Sequence, residues 1–468
     1  MQIKITFLGA TKSVTGSRHL VEANGLKFLI DCGLYQEREF RVRNWDPFLC
    51  PPSEIDAVLL THAHLDHSGF LPRFVSSGFK GNVYCTAATA DITRVMLLDS
   101  ARIQEQDAEA KKRRHRRQKK KAPHPEVPLY TVEDANSCFP LFKPVPYSKS
   151  VKLSNGIDFT FHDAGHVLGS GMIEVKVRQK DEERILIFSG DIGRTDRPIL
   201  KNPTFFEKAD YIVMESTYAD SIFPDQSEMI DKFIEVLLDT IDKGGNIVIP
   251  SFALERAQDI LYYLSKATFA GQLPPIKVYL DSPMAINITD IFERHSNLMD
   301  DEAKHFILEK KSPFNFPGLR FITSAMDSRQ IEQIKEPAII IAGSGMCTGG
   351  RIKYHLMSNI MRPESTILFV GYQAQGTLGR IIVDGAKQIR ILDKKYPVKA
   401  RIVQMNGFSS HADSIQLKHW LFNLQQAPSH VFVVHGEEKQ ANHLAKIIRK
   451  ERGWNVTVPE YQDQFVLD

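Results

Sequence analysis

Cysteine is scarce and scattered. Five occur in 468 residues, at Cys32, Cys50, Cys85, Cys138 and Cys347, and no two of them form a Cys-x-x-Cys pair. That argues against a disulfide framework and a thiolate zinc site, and it fits a reducing compartment. Long apolar runs are missing too. No stretch approaches the roughly 20 residues that a membrane-spanning helix needs. The opening residues, Met1 to Ala10, alternate apolar and polar side chains as a strand does and lack the basic start and apolar core of a secretory signal. A soluble cytoplasmic protein with no membrane association is the expectation. No repeat of fixed period occurs. Ser251, Ser344 and Ser409 have no nucleophile-elbow context around them, which leaves little room for a serine hydrolase.

What is present is an ordinary folded composition, 43% hydrophobic and 25% charged, in a chain too long for one core. Two or more globular units are expected. The net charge of +3 hides an asymmetry: the run from Lys111 to Lys121 holds nine Lys or Arg and no acid, and without those nine the chain carries −6.

Strand-like runs recur at Ile3–Phe7, His19–Glu22, Phe28–Ile30 and Ala57–Leu60. A helix is predicted from Ala88 to Lys120. Its second half is polar on every side and so projects into solvent, and Pro123, Pro125 and Pro128 end it. Further strands are predicted at Asp158–His162, Gly171–Val177 and Arg184–Phe188, so the opening reads as an α/β layered sandwich. From about Ser227 apolar strands alternate with helices, beginning with Asn246–Pro250 and the helix Leu254–Lys266, the mark of a covered parallel sheet. The segments Val398–Gln404 and Val431–Val434 return to the first domain's chemistry, which makes the second unit an insertion.

The sharpest signal is Thr61-His62-Ala63-His64-Leu65-Asp66-His67, directly after an apolar strand. Three histidines and an aspartate within six residues can converge only around something positive, and imidazole and carboxylate donors without sulfur suit Zn or Mn. Later in the chain come Gly165-His166-Val167, Gly190-Asp191-Ile192, Glu215-Ser216-Thr217-Tyr218, Ser410-His411-Ala412-Asp413 and Val434-His435-Gly436, with Ile30-Asp31-Cys32-Gly33 before the cluster. In this order and with these residues the chain resembles the metallo-β-lactamase superfamily, and within it the β-CASP nucleases that process RNA.

The resemblance covers essentially the whole chain. It implies an αββα sandwich with an inserted α/β cap, divided as 1–215, 216–394 and 395–468. It implies two zinc ions, with manganese as the alternative. His62, His64 and His166 would hold one and Asp66, His67 and His435 the other, with Asp191 bridging and Asp31 supporting the loop. His411 would be the general acid, with Glu215 holding its tautomer and raising its pKa. The turns containing Ser344, Gly345, Gly376 and Thr377 would face the substrate, although a tight strand–helix connection is the more usual explanation of such Gly-rich turns. His435 in the last motif favours single-stranded RNA over DNA, with endonuclease action, accompanied by 5′–3′ exonuclease action in some relatives. A homodimer is a guess from the family alone.

Two departures stand out. After Tyr218 the chain reads Ala219-Asp220-Ser221-Ile222 where the family commonly continues with Gly and an acidic–basic–His run, and the basic run is longer than usual. Alternatives of other kinds are a DNA nuclease of the same fold and a catalytically silent RNA-binding subunit, against which stands the full set of ligand types. His19, His115, His124, His162, His295, His305, His355, His430 and His443 read as ordinary surface or core residues, and for His162, on the strand leading to His166, support of the ligands is the second reading. The basic run has two readings, a solvated segment or a contact to nucleic-acid phosphates.

Overall fold

Alternating apolar side chains place Ile3, Ile5 and Phe7 on one face of the first strand, and that face sets the architecture. The computed structural model describes residues 2–118, 126–195, 197–334 and 336–467. These fall into two compact units: residues 1–195, 202–222 and 411–468 form the first, and residues 196–201 and 223–410 the second. The predicted end of the long helix, Lys119 to Lys121, and the helix-ending Pro123 and Pro125 lie outside the described residues, as does His124.

The first unit holds two seven-stranded sheets. One begins with the C-terminal strand Gln464–Leu467, beside Ile3–Phe7, and runs through His19–Ala23, Leu26–Ile30, Ala57–Leu59 and Asn82–Cys85 to Phe142–Pro144. The other runs from Val456–Thr457 through His430–Val433, Tyr211–Met214, Glu182–Phe188, Gly171–Gln179 and Ile157–Asp163 to Val151–Ser154. Phe7, Phe28 and Leu59 from one sheet and Phe161, Val175 and Phe188 from the other share a single buried core. Each such side chain contributes about 1.5–3 kcal/mol by leaving water. Helices cover both outer faces. Leu71–Ser76, Ala87–Gln118 and Val132–Cys138 pack on the first sheet, and Ser414–Phe422 and Glu438–Arg452 on the second. The result is an αββα sandwich.

The second unit is a six-stranded, all-parallel sheet in the order Leu319–Phe321, Lys277–Asp281, Ala338–Ala342, Ile247–Pro250, Thr366–Val370, Arg401–Met405, together with a small hairpin. Its central strands are buried throughout, as continuous apolar runs in a two-faced sheet should be. One expectation fails here. The sequence places the segment Val398–Gln404 with the first domain, yet Arg401–Met405 pairs in parallel with Thr366–Val370 at the edge of the second unit's sheet. A short apolar strand carries no mark of which sheet it will join. Among the described residues no helix is long and apolar enough to cross a membrane.

Candidate metal centre

The ligand types converge because strands deliver them. Glu182–Phe188, Tyr211–Met214 and His430–Val433 run parallel, so their carboxyl ends share one edge of their sheet, and Ala57–Leu59 runs parallel to Leu26–Ile30 in the other sheet; the segments that follow carry Asp191, Glu215, His435 and His62 to His67. The turns between them are tight. A Cβ on Gly33 would lie 1.6 Å from the Asp66 carbonyl oxygen, and one on Gly193 would lie 1.8 Å from that of Gly165. Only glycine permits those approaches. His435 itself sits at φ 46°, its N–H donating to the Ala10 carbonyl at 2.7 Å.

Three groups of metal-capable side chains occur among the described residues: His62, His64, His166 and Asp191; Asp66, His67 and His435; and Asp191, Glu215 and His411. In the first group His64 Nδ1 lies 3.1 Å from His62 Nε2 and 3.3 Å from His166 Nε2. Asp191 Oδ2 lies 3.5 Å from the His62 Nε2 and 3.4 Å from the His166 Nε2. In the second, His435 Nε2 stands 3.1 Å from His67 Nε2 and 3.5 Å from Asp66 Oδ2. Asp191 reaches this group as well, with Oδ1 at 3.2 Å from His67 Nε2.

These donors fit a cation. Tetrahedral zinc with bonds of about 2.0–2.1 Å sets its ligand atoms about 3.3 Å apart, which is the spacing seen. Asp191 Oδ1 is buried and accepts no hydrogen bond, a state that is unfavourable for a carboxylate oxygen unless a cation completes it. The electrostatics agree. Burial alone would raise the Asp191 carboxyl, but His435, His67, His411 and His62 around it hold it well below the usual carboxylate range. Burial likewise pushes down His64, to about 4, and takes His62 well below its ordinary value. Burial acts in the same sense on His67, yet Asp191 and Asp31 carry it well above.

A layer of partners fixes the ligands. Asp31 Oδ2 accepts from His67 Nδ1 at 2.7 Å, and Asp31 Oδ1 accepts the Thr61 N–H at 2.7 Å. The Thr61 hydroxyl donates to Asp31 at 2.9 Å and lies 3.0 Å from His62 Nδ1. Ser170 Oγ accepts the His166 N–H at 3.1 Å, and Thr217 Oγ1 lies 3.1 Å from His435 Nδ1. Such partners set ring orientation and ligand basicity. Sequence reasoning gave Thr61, Ser170 and Thr217 no role; their only signal was position, each standing one to four residues from a ligand or on a motif.

His411 lies beside the ligands. Its Nδ1 is 3.1 and 3.2 Å from the two Glu215 oxygens, and its Nε2 is 3.8 Å from Asp191 Oδ2. The Ala412 N–H donates to the Ile192 carbonyl at 2.7 Å, and Asp413 caps the helix Ser414–Phe422 by accepting from Ile415 and Gln416. That explains the motif's spacing: the cap starts a helix that holds His411 at its mouth. Burial lowers the His411 pKa, but Glu215 and Asp191 outweigh it and raise it to about 9.

Other expected residues lie elsewhere. His162 keeps its ordinary reading rather than the second one of ligand support: it packs on the edge of Phe206, and its nearest carboxylate is Glu174 at 3.8 Å. Ser344, Gly345, Gly376 and Thr377 sit in two turns of the second unit, which touch through a Gln373 Nε2–Gly345 carbonyl bond of 3.1 Å. Ser344 Oγ accepts from Thr348 and Gly349, and Thr377 caps the helix Leu378–Val383, so each hydroxyl already has a local bond.

Comparison with known proteins agrees with this geometry. Residues 20–214 match a metallo-β-lactamase superfamily domain, 257–382 a β-CASP domain and 395–459 a Zn-dependent metallo-hydrolase RNA specificity domain. A ribonuclease of Thermus thermophilus is 35% identical over 98% of this chain and 99% of its own. The chain belongs to the β-CASP branch of the metallo-β-lactamase superfamily. Other β-CASP relatives include a transcription termination factor of Methanocaldococcus jannaschii, 31% identical over 96% of this chain and 69% of that protein, and an RNase J-like protein of the same organism, 29% identical over 96% of each. A protein of unknown function from Enterococcus faecalis shares the fold, with a TM-score of 0.56 and 12% identity over the whole of both chains. As a β-CASP chain it is a hydrolase of a zinc-dependent family, and its His and Asp cluster is a metal-binding one.

Proposed function

We propose that this β-CASP chain is a ribonuclease that hydrolyses phosphodiester bonds of single-stranded RNA, endonucleolytically and with 5′–3′ exonuclease action as a second mode. The observation that carries the reading is the pairing of His411 with Glu215 next to a carboxylate, Asp191, shared by two ligand groups. His62, His64 and His166 would hold one zinc ion, Asp66, His67 and His435 the other, with Asp191 common to both; manganese is the alternative. When bound, the two ions supply a nucleophile at neutral pH and charge stabilisation on the phosphoryl oxygens.

The rest falls to the chain. Glu215 fixes the His411 tautomer by accepting from Nδ1, which leaves Nε2 facing Asp191 and the reacting bond. A proton on that nitrogen goes to the departing O3′, giving a 3′-hydroxyl and a 5′-phosphate. Asp31 and Thr61 keep His67 and His62 from turning away. Ser344, Gly345, Gly376 and Thr377 are proposed to contact substrate phosphates through backbone N–H groups, since their hydroxyls are engaged locally. A homodimer is proposed on family grounds only.

The test uses two 5′-labelled oligonucleotides of one sequence, one RNA and one DNA, incubated with the protein and zinc or manganese beside the His411→Ala variant. The reading expects RNA fragments bearing 3′-hydroxyls, intact DNA and a slow variant. Cleavage of DNA alone, or of neither, would overturn it.

A further inference from the structure

The helix Ala87–Gln118 does two different things along its length. Its first turn belongs to the metal loop: the Thr86 and Thr89 hydroxyls donate to the Gly169 carbonyl at 2.7 and 2.8 Å, three residues from His166. Up to Ala108 it still buries apolar side chains such as Leu97 and Ala101 against the first sheet. Beyond that point none of its described residues is a buried apolar one, and after Glu109 every Lys, Arg, Asp or Glu as far as Arg117 is a cation. Lys111, Lys112, Arg113, Arg114, Arg116 and Arg117 are all exposed. Of these six, among the described residues, only Lys112 has a carboxylate partner, Glu109 at 3.2 Å with both about half exposed, while His115 between them faces Glu126.

Elementary helix physics disfavours this arrangement. Cations in the last turn suit the helix dipole, but six within two turns also repel at i,i+3 and i,i+4 spacing, as Arg113 does with Arg116 and Arg117. A charge that the fold does not use calls for an anionic partner outside it. At about 1.5 Å per residue, Arg114 lies on the order of 38 Å along the axis from Thr89. A stacked strand advancing about 3.4 Å per nucleotide would need about 11 nucleotides to span that length.

We infer that residues 111–117 form a second RNA-contact surface, remote from the metal centre, which holds the phosphates of long substrates and is out of reach of short ones. This rests on the ribonuclease reading. Its partner is a polyphosphate chain rather than a lipid surface, because the helix has no apolar stripe at this end to enter a bilayer.

The test compares the full chain with a variant carrying glutamine at all six positions, on 5-nucleotide and 30-nucleotide RNAs of related sequence. Binding by fluorescence anisotropy and cleavage are followed across salt concentration. For the 30-mer the variant should show KM raised at least about ten-fold and a slope of log K against log salt smaller by about 2–4, since each single-strand phosphate contact contributes about 0.7. On the 5-mer its cleavage should match the wild type, which also shows that it folds. Equal slopes on the 30-mer, or equal losses on both lengths, would overturn the inference. So would phosphatidylserine vesicles bound in a variant-sensitive way while RNA binding is unchanged. If the wild type cuts neither RNA, the ribonuclease reading fails, and the binding slopes still decide this one.

Discussion

One face of the His67 ring system is tied to Asp31 and the other to the metal cluster: Nδ1 lies 2.7 Å from Asp31 Oδ2 and Nε2 lies 3.2 Å from Asp191 Oδ1. The imidazole is therefore aimed before any cation arrives. Asp31→Ala should keep the fold but lower metal affinity about 10–100-fold, as loss of such partners does. Competition with a chelator measures it, and an affinity within two-fold of wild type would show that Asp31 does not orient the ring.

Two variants separate the proposed roles around Asp191. His411→Ala removes the proposed proton donor, which is assigned to neither zinc ion although it lies beside Asp191, so it should lower turnover about 10²–10⁴-fold and leave metal content intact. Asp191→Ala removes the carboxylate proposed to serve both ions, with oxygens 3.4 Å from His166 Nε2 and 3.2 Å from His67 Nε2, and should lose metal as well as turnover. Metal analysis alongside rates decides the matter; the reverse pattern would exchange the two roles.

The pH profile should carry the mark of Glu215. Burial lowers the His411 pKa but Glu215 and Asp191 raise it to about 9, so as an acid it stays protonated through neutrality and its loss should set an alkaline limb in which turnover falls as pH rises through that value. In Glu215→Gln the negative charge is gone, and the alkaline limb should move down toward the ordinary imidazole range near 6.5. An unmoved limb would mean that another group sets it.

Metal binding should itself depend on pH. Burial would lower both His67 and His435, but their carboxylate neighbours outweigh it, carrying His67 well above the ordinary imidazole value and raising His435. A cation must displace any protons these rings hold, so affinity should climb as pH rises through and past the ordinary imidazole value. Calorimetry in buffers of different ionisation enthalpy counts the protons released; none released would contradict the charge pattern described.

The centre was legible in the sequence because its chemistry is local. His62 to His67 stand within six residues, and their order with His166, Asp191 and His435 is independent of how the sheets pair. The strands were legible where alternation or apolar runs were long, as at Ile3–Phe7 and Ala338–Ala342. What could not be read depends on contacts far apart in the chain. The partner of Arg401–Met405 is one such case, and so is the buried group in which Arg197 meets Asp259 at 2.7 Å and Glu255 at 3.2 Å. The second reading of His162 could not be decided for the same reason, since its nearness to His166 along the chain says nothing about which face of its strand it occupies.

Backbone packing offers a separate test of the ligand loop. Gly33→Ala would drive a methyl group into the Asp66 carbonyl, whereas Gly25, in an open turn, has nothing within 4 Å of a Cβ. Gly33→Ala should therefore destabilise the fold by about 2 kcal/mol or more and lower metal content. Gly25→Ala, strained only by its positive φ, should leave metal content unchanged. Thermal unfolding and metal analysis compare them, and equal behaviour would show that the loop yields.

The most direct measurement is a titration of zinc into chelator-treated protein with RNA cleavage as the readout. The account predicts no cleavage without metal and a rise that ends at two ions per chain, with Asp191→Ala unresponsive. Full cleavage by protein holding no metal, or by Asp191→Ala at the wild-type rate, would contradict it.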